Sequence, residues 1–318
     1  MSEQPSRNLG LDLVRATEAA ALVAGRWVGL GRPVEADQVA TQAMIEALDT
    51  IGIHGPDIRT DGESMGQHIE LFRDRVEANE VDVLADPIDG RALLARGYPG
   101  VISVVGAAAA GAFQRLSPAV YMEKIVVNAQ VARAMVPECL DAPAAWTLAL
   151  VARALDREIG NLTVFMLDRP RHADLIREIR ATGAHVMLRA DGDVTGALLA
   201  ATRGSGIDIL MGVGGVAEGL LSVCAVKALG GAMLARLAPQ GTRELNAIRD
   251  TGLDMTRIMD HSDLVTGDCT FFAATGITDG PLLSGIHYRG RRATSNSMIL
   301  RGETRTRRVI EAEHLLTK

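Results

Sequence analysis

Aromatic side chains make up only 3% of this 318-residue chain, too few for the stacking platforms that hold single-stranded nucleic acid. A basic excess is missing as well. The formal charge is −6, the wrong sign for a partner whose surface is phosphate, so nucleic acid is disfavoured as the main partner. Cysteine is scarce: Cys139, Cys224 and Cys269 are odd in number, far apart and free of any C-x-x-C spacing. That pattern argues against a disulfide framework or a thiolate zinc site and fits a reducing cytoplasm. The seven histidines include no H-x-H or H-E-x-x-H pairing, so no histidine-based metal site is expected. Long hydrophobic runs are absent too, because Arg, Glu, Asp or Lys interrupts each one before the roughly 18 residues a membrane span needs. The opening residues, Met1 to Arg7, lack the basic-then-apolar form of a signal peptide. The expectation is a cytoplasmic protein with neither membrane nor nucleic acid as partner.

What remains is ample for a folded core. Hydrophobic residues reach 47%, and the length allows two domains or one large one. An alanine-rich helical pattern runs from Leu9 to about Gly31, and a second amphipathic helix from Glu35 to about Thr50. Asp57 to Gly66 is polar and glycine-containing, hence a loop, and it holds Asp61 and Glu63. Strand-like runs follow at Val81–Ala85, Gly100–Ala112 and Pro118–Ile125. From Leu162 onward apolar runs alternate with helical patterns, the rhythm of a parallel sheet with helical crossovers. The expected division is an α+β domain over 1–158 and an α/β domain over 159–318.

The chemistry concentrates where strands end. Val81–Ala85 is expected to break at Pro87 and Gly90, leaving Asp86 and Asp89 in the turn. Clustered carboxylates repel one another unless a cation or proton intervenes, and hard oxygens suit Mg²⁺ or Mn²⁺. The plainer alternative is an Asp-rich turn capping its own backbone N–H groups. Gly212–Gly219 follows a strand and opens a helix, but its G-x-G-G-x-x-E-G spacing is not the dinucleotide G-x-G-x-x-G. The next strand also ends near Arg236 rather than an acid that would hold a ribose, so dinucleotide binding is disfavoured. That loop instead offers N–H groups at a helix N-terminus, with Glu218 beside them. Arg169 and Arg171 flank Pro170 at a strand end and suit phosphate, or else form a solvated turn. Asp191 and Asp193 around Gly192 suit sugar hydroxyls, or an Asx turn.

Several blocks then occur in one order. They are Asp86-Pro87-Ile88-Asp89-Gly90, Pro118-Ala119-Val120-Tyr121-Met122, Leu167-Asp168-Arg169-Pro170-Arg171-His172, Ser205 to Gly212, and Ala273 to Gly280. With them the chain resembles the class II, GlpX-type fructose-1,6-bisphosphatases along nearly its whole length. The resemblance implies an α/β fold, the layered α-β-α-β-α sugar-phosphatase sandwich of the lithium-sensitive phosphatase superfamily. It implies a metal-assisted phosphomonoesterase of the gluconeogenic or Calvin-cycle type that cleaves a C1 phosphoester, using Mn²⁺ or Mg²⁺, as a homo-oligomer (dimer or tetramer). By position Asp37, Asp86, Asp89 and Glu218 match metal ligands, and Asp61 stands where a metal-binding glutamate is expected. Asp89, Gly90, Arg91, Tyr121, Arg169, Pro170, Arg171, Asp191, Gly192, Asp193 and Gly215 match the sugar-bisphosphate site.

Two positions depart from that pattern. Asp61 is one methylene, about 1.5 Å, shorter than the family glutamate. Arg91 replaces the threonine that helps position the nucleophilic water, and a guanidinium neither binds a metal nor acts as a base at neutral pH. With Asp61, Asp86 and Arg91 as the catalytic positions, two alternatives arise. One is a phosphatase for another sugar or cyclitol phosphate; the other is a weakly catalytic sugar-phosphate-binding protein.

Overall fold

Small side chains decide how the chain begins. The structure, a computed structural model, describes residues 9–59, 70–74 and 81–316, so Asp61 and Glu63 lie outside the described residues. Helix α1 (Leu9–Ala24) buries Leu13, Ala16, Ala20, Ala21 and Ala24, a narrow face that lets a neighbour approach closely. It stops earlier than its pattern suggests, and Gly25–Trp27 forms a single 3₁₀ turn. Helix α2 (Pro33–Thr50) opens with proline at its first turn, where no N–H is needed. Its buried stripe is Ala36, Asp37, Ala40, Met44 and Leu48, which puts one carboxylate on an otherwise apolar face.

Strands β1 (Ile53–Arg59), β2 (Glu70–Asp74) and β3 (Val81–Asp89) follow, then the short helix α3 (Arg91–Ala95) and strand β4 (Ile102–Ala109). The second part of the chain carries β5 (Tyr121–Val127), α4 (Ala144–Leu155), β6 (Thr163–Leu167), α5 (Ala173–Ala181), β7 (His185–Arg189) and α6 (Asp193–Ala201). It continues through β8 (Ile209–Gly215), α7 (Val216–Ala228), β9 (Ala232–Leu237), α8 (Thr242–Thr251), β10 (Met259–Asp260) and α9 (His261–Leu264). The chain closes with β11 (Thr270–Gly276), β12 (His287–Arg289), β13 (Arg292–Arg301) and β14 (Thr306–Leu315). The protein is thus a mixed α/β molecule with two sheets.

Two compact units emerge, and their limits differ from the 158/159 boundary that the change of rhythm suggests. One comprises 1–112 with 267–318; the other is the continuous stretch 113–266, so residue 158 lies inside it. The reason is non-local pairing: β11 returns to hydrogen-bond along the whole of β4, from Thr270 opposite Ala108 to Gly276 opposite Ile102. The first unit's sheet runs β1-β2-β3-β4-β11-β13-β12, with β14 on β13.

The second unit's sheet runs β10-β9-β5-β8-β6-β7 and is mixed rather than parallel. Only β7, β6 and β8 form parallel pairs. Strand β5 lies between β8 and β9, antiparallel to both, so the crossover through α7 steps over it. Helix α6 is buried along its full length, and Gly196 is the reason it fits: a Cβ there would meet the Phe165 ring at 2.2 Å. Apolar burial is the main stabiliser, roughly 1.5–3 kcal/mol for each fully buried large aliphatic side chain. Leu148, Val151, Leu162, Val164 and Ile179 join the strands in one such cluster. Among the described residues no helix is long and apolar enough to cross a membrane.

Candidate active site

In the first unit the candidate residues gather at the end of β3. Pro87 does not stop this strand, which continues to Asp89. Among the described residues pairing with β2 reaches Ala85, and a bulge between Asp86 and Asp89 puts Pro87 and Ile88 outside the regular register with β4. A proline is tolerated there because no ladder N–H is required. Asp86 and Asp89 stay buried, at 8% and 3% exposure. Asp86 accepts the Ile88 N–H on its Oδ1 at 3.1 Å, which is the turn-capping role. Gly90, at φ +108°, then reverses the chain in the left-handed region and caps α3, so Arg91 is that helix's first residue.

From this position the Arg91 guanidinium reaches across to α2, where Nη1 lies 3.2 Å from Asp37 Oδ2. The lone carboxylate on the apolar stripe of α2 thus faces a cation supplied by the protein itself. Asp82, on the same strand, accepts the Gly111 N–H at 2.8 Å and so serves the β4 turn. As donors, Asp37, Asp86 and Asp89 have the hard-oxygen chemistry that Mg²⁺ or Mn²⁺ takes. Among the described residues, however, no three His, Cys, Asp or Glu side chains come together as a metal-holding group.

In the second unit the candidates converge at the ends of β6 and β8. Shortly after β6, Pro170–His172 forms a 3₁₀ turn with Arg169 as its extended N-cap. Arg169 Nη1 donates to the Ala190 carbonyl at 2.6 Å and to its neighbour Asp168's carbonyl at 3.1 Å. Arg171 Nη2 donates to the Val213 carbonyl at 2.9 Å, and its guanidinium stacks 5.1 Å above the Tyr121 ring. Burial pulls the Arg171 pKa below its usual value, as does neighbouring Arg169, while Tyr121 and Asp193 oppose the shift. Tyr121 lies directly opposite Gly215 in the β5–β8 pairing. Its own N–H and that of Val120 both donate to Glu244 Oε1, at 2.9 and 2.7 Å.

The expected loop over Gly212–Gly219 is not there. Strand β8 runs to Gly215, α7 begins at Val216, and Glu218 occupies the first turn of α7, where a negative charge suits the helix dipole. Gly192, at φ +92°, caps α6 and sets Asp193 on its first turn. Asp191 Oδ1 accepts the Gly192 N–H at 3.1 Å. Asp193 does more than turn the chain: its Oδ2 takes a 2.5 Å bond from Lys124 Nζ. Lys124 is only 1% exposed, a buried charge between Glu123 and the apolar end of β5. Gly214 backs this pair so closely that a Cβ would lie 2.0 Å from Asp193 Oδ2 and 2.3 Å from Lys124 Nζ.

Lys124, His172 and Glu244 are the residues that sequence reasoning passed over. The signal for Lys124 was available, since one lysine inside an apolar strand requires a buried partner. Glu244 also takes the nearby Gln240 N–H, but nothing local marks it for β5, since Val120 and Tyr121 lie more than a hundred residues away.

Comparison with known proteins agrees with the expected resemblance. The family described as bacterial fructose-1,6-bisphosphatase, glpX-encoded, matches residues 7–314. A D-fructose 1,6-bisphosphatase class 2/sedoheptulose 1,7-bisphosphatase from Synechococcus sp. (strain JA-3-3Ab) is 34% identical over 335 aligned positions, covering 96% of this chain and 95% of that protein. A fructose-1,6-bisphosphatase class 2 from Haemophilus influenzae is 34% identical over 327 positions, covering 98% and 97%.

Proposed function

The chain belongs to the glpX-encoded family of bacterial fructose-1,6-bisphosphatases, phosphoric monoester hydrolases, and we propose that it removes the C1 phosphate of a sugar bisphosphate in a divalent-metal-dependent reaction. The observation that carries this reading is the group at the ends of β6 and β8. Arg171 is held between the Val213 carbonyl and the Tyr121 ring, and Asp193 accepts a hydrogen bond from Lys124 beside them. Arginine forks bind phosphate oxygens, and carboxylates accept sugar hydroxyls.

In this reading Arg169 and Arg171 grip phosphate, with Pro170 stiffening the turn between them. Asp191, Gly192 and Asp193 bind the sugar hydroxyls. Tyr121 and Gly215, register partners across β5 and β8, border that group. In the first unit Asp89, Gly90 and Arg91, at the end of β3, are proposed as substrate contacts on the family resemblance alone. On the family resemblance, Asp37, Asp61, Asp86 and Asp89 in the first unit and Glu218 in the second are proposed as ligands for Mn²⁺ or Mg²⁺, which when bound would neutralise phosphoryl oxygens and acidify water. Arg171 and Arg169 orient the ester so that the scissile phosphoryl group is presented in one geometry, which removes orientational entropy from the barrier. The family's layered α-β-α-β-α sandwich, a homo-oligomeric state and a cytoplasmic location complete the reading.

A second reading is favoured by one specific contact. The Arg91–Asp37 pair commits a family metal carboxylate to a guanidinium, which supports altered chemistry or plain sugar-phosphate binding. Phosphate release with Mn²⁺ or Mg²⁺ separates the two. The panel is fructose-1,6-bisphosphate, sedoheptulose-1,7-bisphosphate, hexose monophosphates and cyclitol phosphates. Turnover of the bisphosphates supports the first reading. Turnover confined to other esters, or binding without release, supports the second.

A further inference from the structure

We propose that His172 is a positioning residue for the phosphate-binding arginine, holding the end of β8 in the place from which Arg171 is aimed. The inference rests on the sugar-phosphate reading above for its consequence, but its geometry stands by itself.

Strand β6 ends at Leu167, and its parallel pairing with β8 covers Val164 opposite Ile209 and Phe165 opposite Leu210. Strand β8 continues to Gly215, so its last residues extend beyond the partner strand on that side. Backbone groups left there need other partners. The turn after β6 supplies them. The Val213 N–H donates to His172 Nε2 at 2.9 Å, and the Val213 carbonyl accepts from Arg171 Nη2 at 2.9 Å. Two consecutive side chains therefore take the place of the missing strand, one on each polar group of the same residue.

The tautomer of His172 follows from its partners. A backbone N–H only donates and a carbonyl only accepts. His172 Nε2 must therefore carry the lone pair, while Nδ1 carries the proton it gives to the Leu167 carbonyl at 2.7 Å. The ring thereby ties the end of β6 to the end of β8. It is 3% exposed and packs on Gly212, at φ +132°, where a Cβ would meet the ring at 3.1 Å. Protonation would turn Nε2 into a second donor facing the Val213 N–H and break the link. The environment opposes that protonation: burial lowers the His172 pKa foremost, the cations Arg171 and Lys124 act the same way, and the Leu167 carbonyl and Asp193 act against it.

A satisfied core histidine with no further role is the plain alternative, and the two differ in what a variant does to Arg171. Ring-nitrogen NMR on the full chain should show His172 neutral and protonated on Nδ1 at pH 7, and still neutral at pH 6. His172→Gln retains an acceptor for the Val213 N–H, whereas His172→Leu does not. With folding verified by circular dichroism, His172→Leu should raise KM for fructose-1,6-bisphosphate about tenfold with little change in kcat. His172→Gln should stay within about threefold of the unmodified chain. The Arg171 guanidinium resonance should move in His172→Leu and return towards its original position in His172→Gln. The opposite tautomer, an imidazolium at pH 7, or an unmoved Arg171 resonance in folded His172→Leu would overturn the proposal. Should the unmodified chain ignore all sugar phosphates, the functional reading fails by itself. The ring tautomer and the Arg171 resonance then still decide whether His172 positions the arginine.

Discussion

Arg91 and Asp37 form a buried ion pair across the α3–α2 contact, with Nη1 3.2 Å from Oδ2 and side chains only 17% and 7% exposed. Each places a charge opposite to the other's in a position largely closed to water. An isolated charge in such a place would cost several kcal/mol. Position 91 therefore bears directly on the electrostatics at Asp37.

The first prediction follows from that pair. The unmodified chain should hydrolyse fructose-1,6-bisphosphate slowly, because an arginine at position 91 cannot orient an attacking water as a hydroxyl would. Arg91→Thr should raise kcat tenfold or more, about 1.4 kcal/mol of barrier, and pairing it with Asp61→Glu should add to the gain. If Arg91 instead grips a phosphate of the true substrate, Arg91→Thr raises KM for that substrate alone. Vigorous turnover of fructose-1,6-bisphosphate that disappears in Arg91→Thr would rule out position 91 as a departure.

Metal binding is testable without any turnover. Mn²⁺ or Mg²⁺ at millimolar concentration should raise the melting temperature of the unmodified chain, since a ligand bound only by the native state stabilises it. Asp86→Ala should remove the shift, because Asp86 is one of the buried carboxylates at the end of β3. A chain that melts at the same temperature with and without metal would point to Arg91 as the resident cation.

Arg171 offers a binding measurement. Its guanidinium is half-committed, to the Val213 carbonyl and the Tyr121 ring, leaving donors for an anion. Arg171→Ala should weaken sugar-phosphate binding by about 1.5–3 kcal/mol, measured by calorimetry. Equal affinity in the two proteins would remove this turn from the site.

The Lys124–Asp193 pair should show its burial in stability. Lys124→Met leaves Asp193 as a buried carboxylate without its cation and should cost about 3–5 kcal/mol in denaturant unfolding. Replacing both, as Lys124→Met with Asp193→Leu, should recover most of that loss, because an apolar pair of similar volume needs no desolvation. A double variant as unstable as the single one would mean that packing against Gly214, rather than charge, dominates there.

Local chemistry made part of this protein legible in its sequence. Gly90, which permits a positive φ after the strand, and the nearby Asp86 and Asp89 act through their immediate neighbours, and their meaning can be read in a window of a few residues. The ordered blocks around Asp86, Tyr121 and Arg169 likewise identify the family, because many short matches in one order are specific together.

What tertiary structure alone decided is of another kind. Pro87 reads as a strand stop, yet β3 passes through it, because a bulge between Asp86 and Asp89 takes it out of register with β4. The alternation after Leu162 reads as a parallel sheet, yet β5 enters from earlier in the chain and makes it mixed. The units divide at 112 and 266 because β4 finds its partner in β11 on the far side of the second unit's sequence. The partners of Asp37, Lys124 and His172 were hidden for the same reason. A sequence states which groups must be satisfied when buried, but hydrogen bonds and ion pairs act over a few ångströms of space, and only the folded chain determines which groups lie that close.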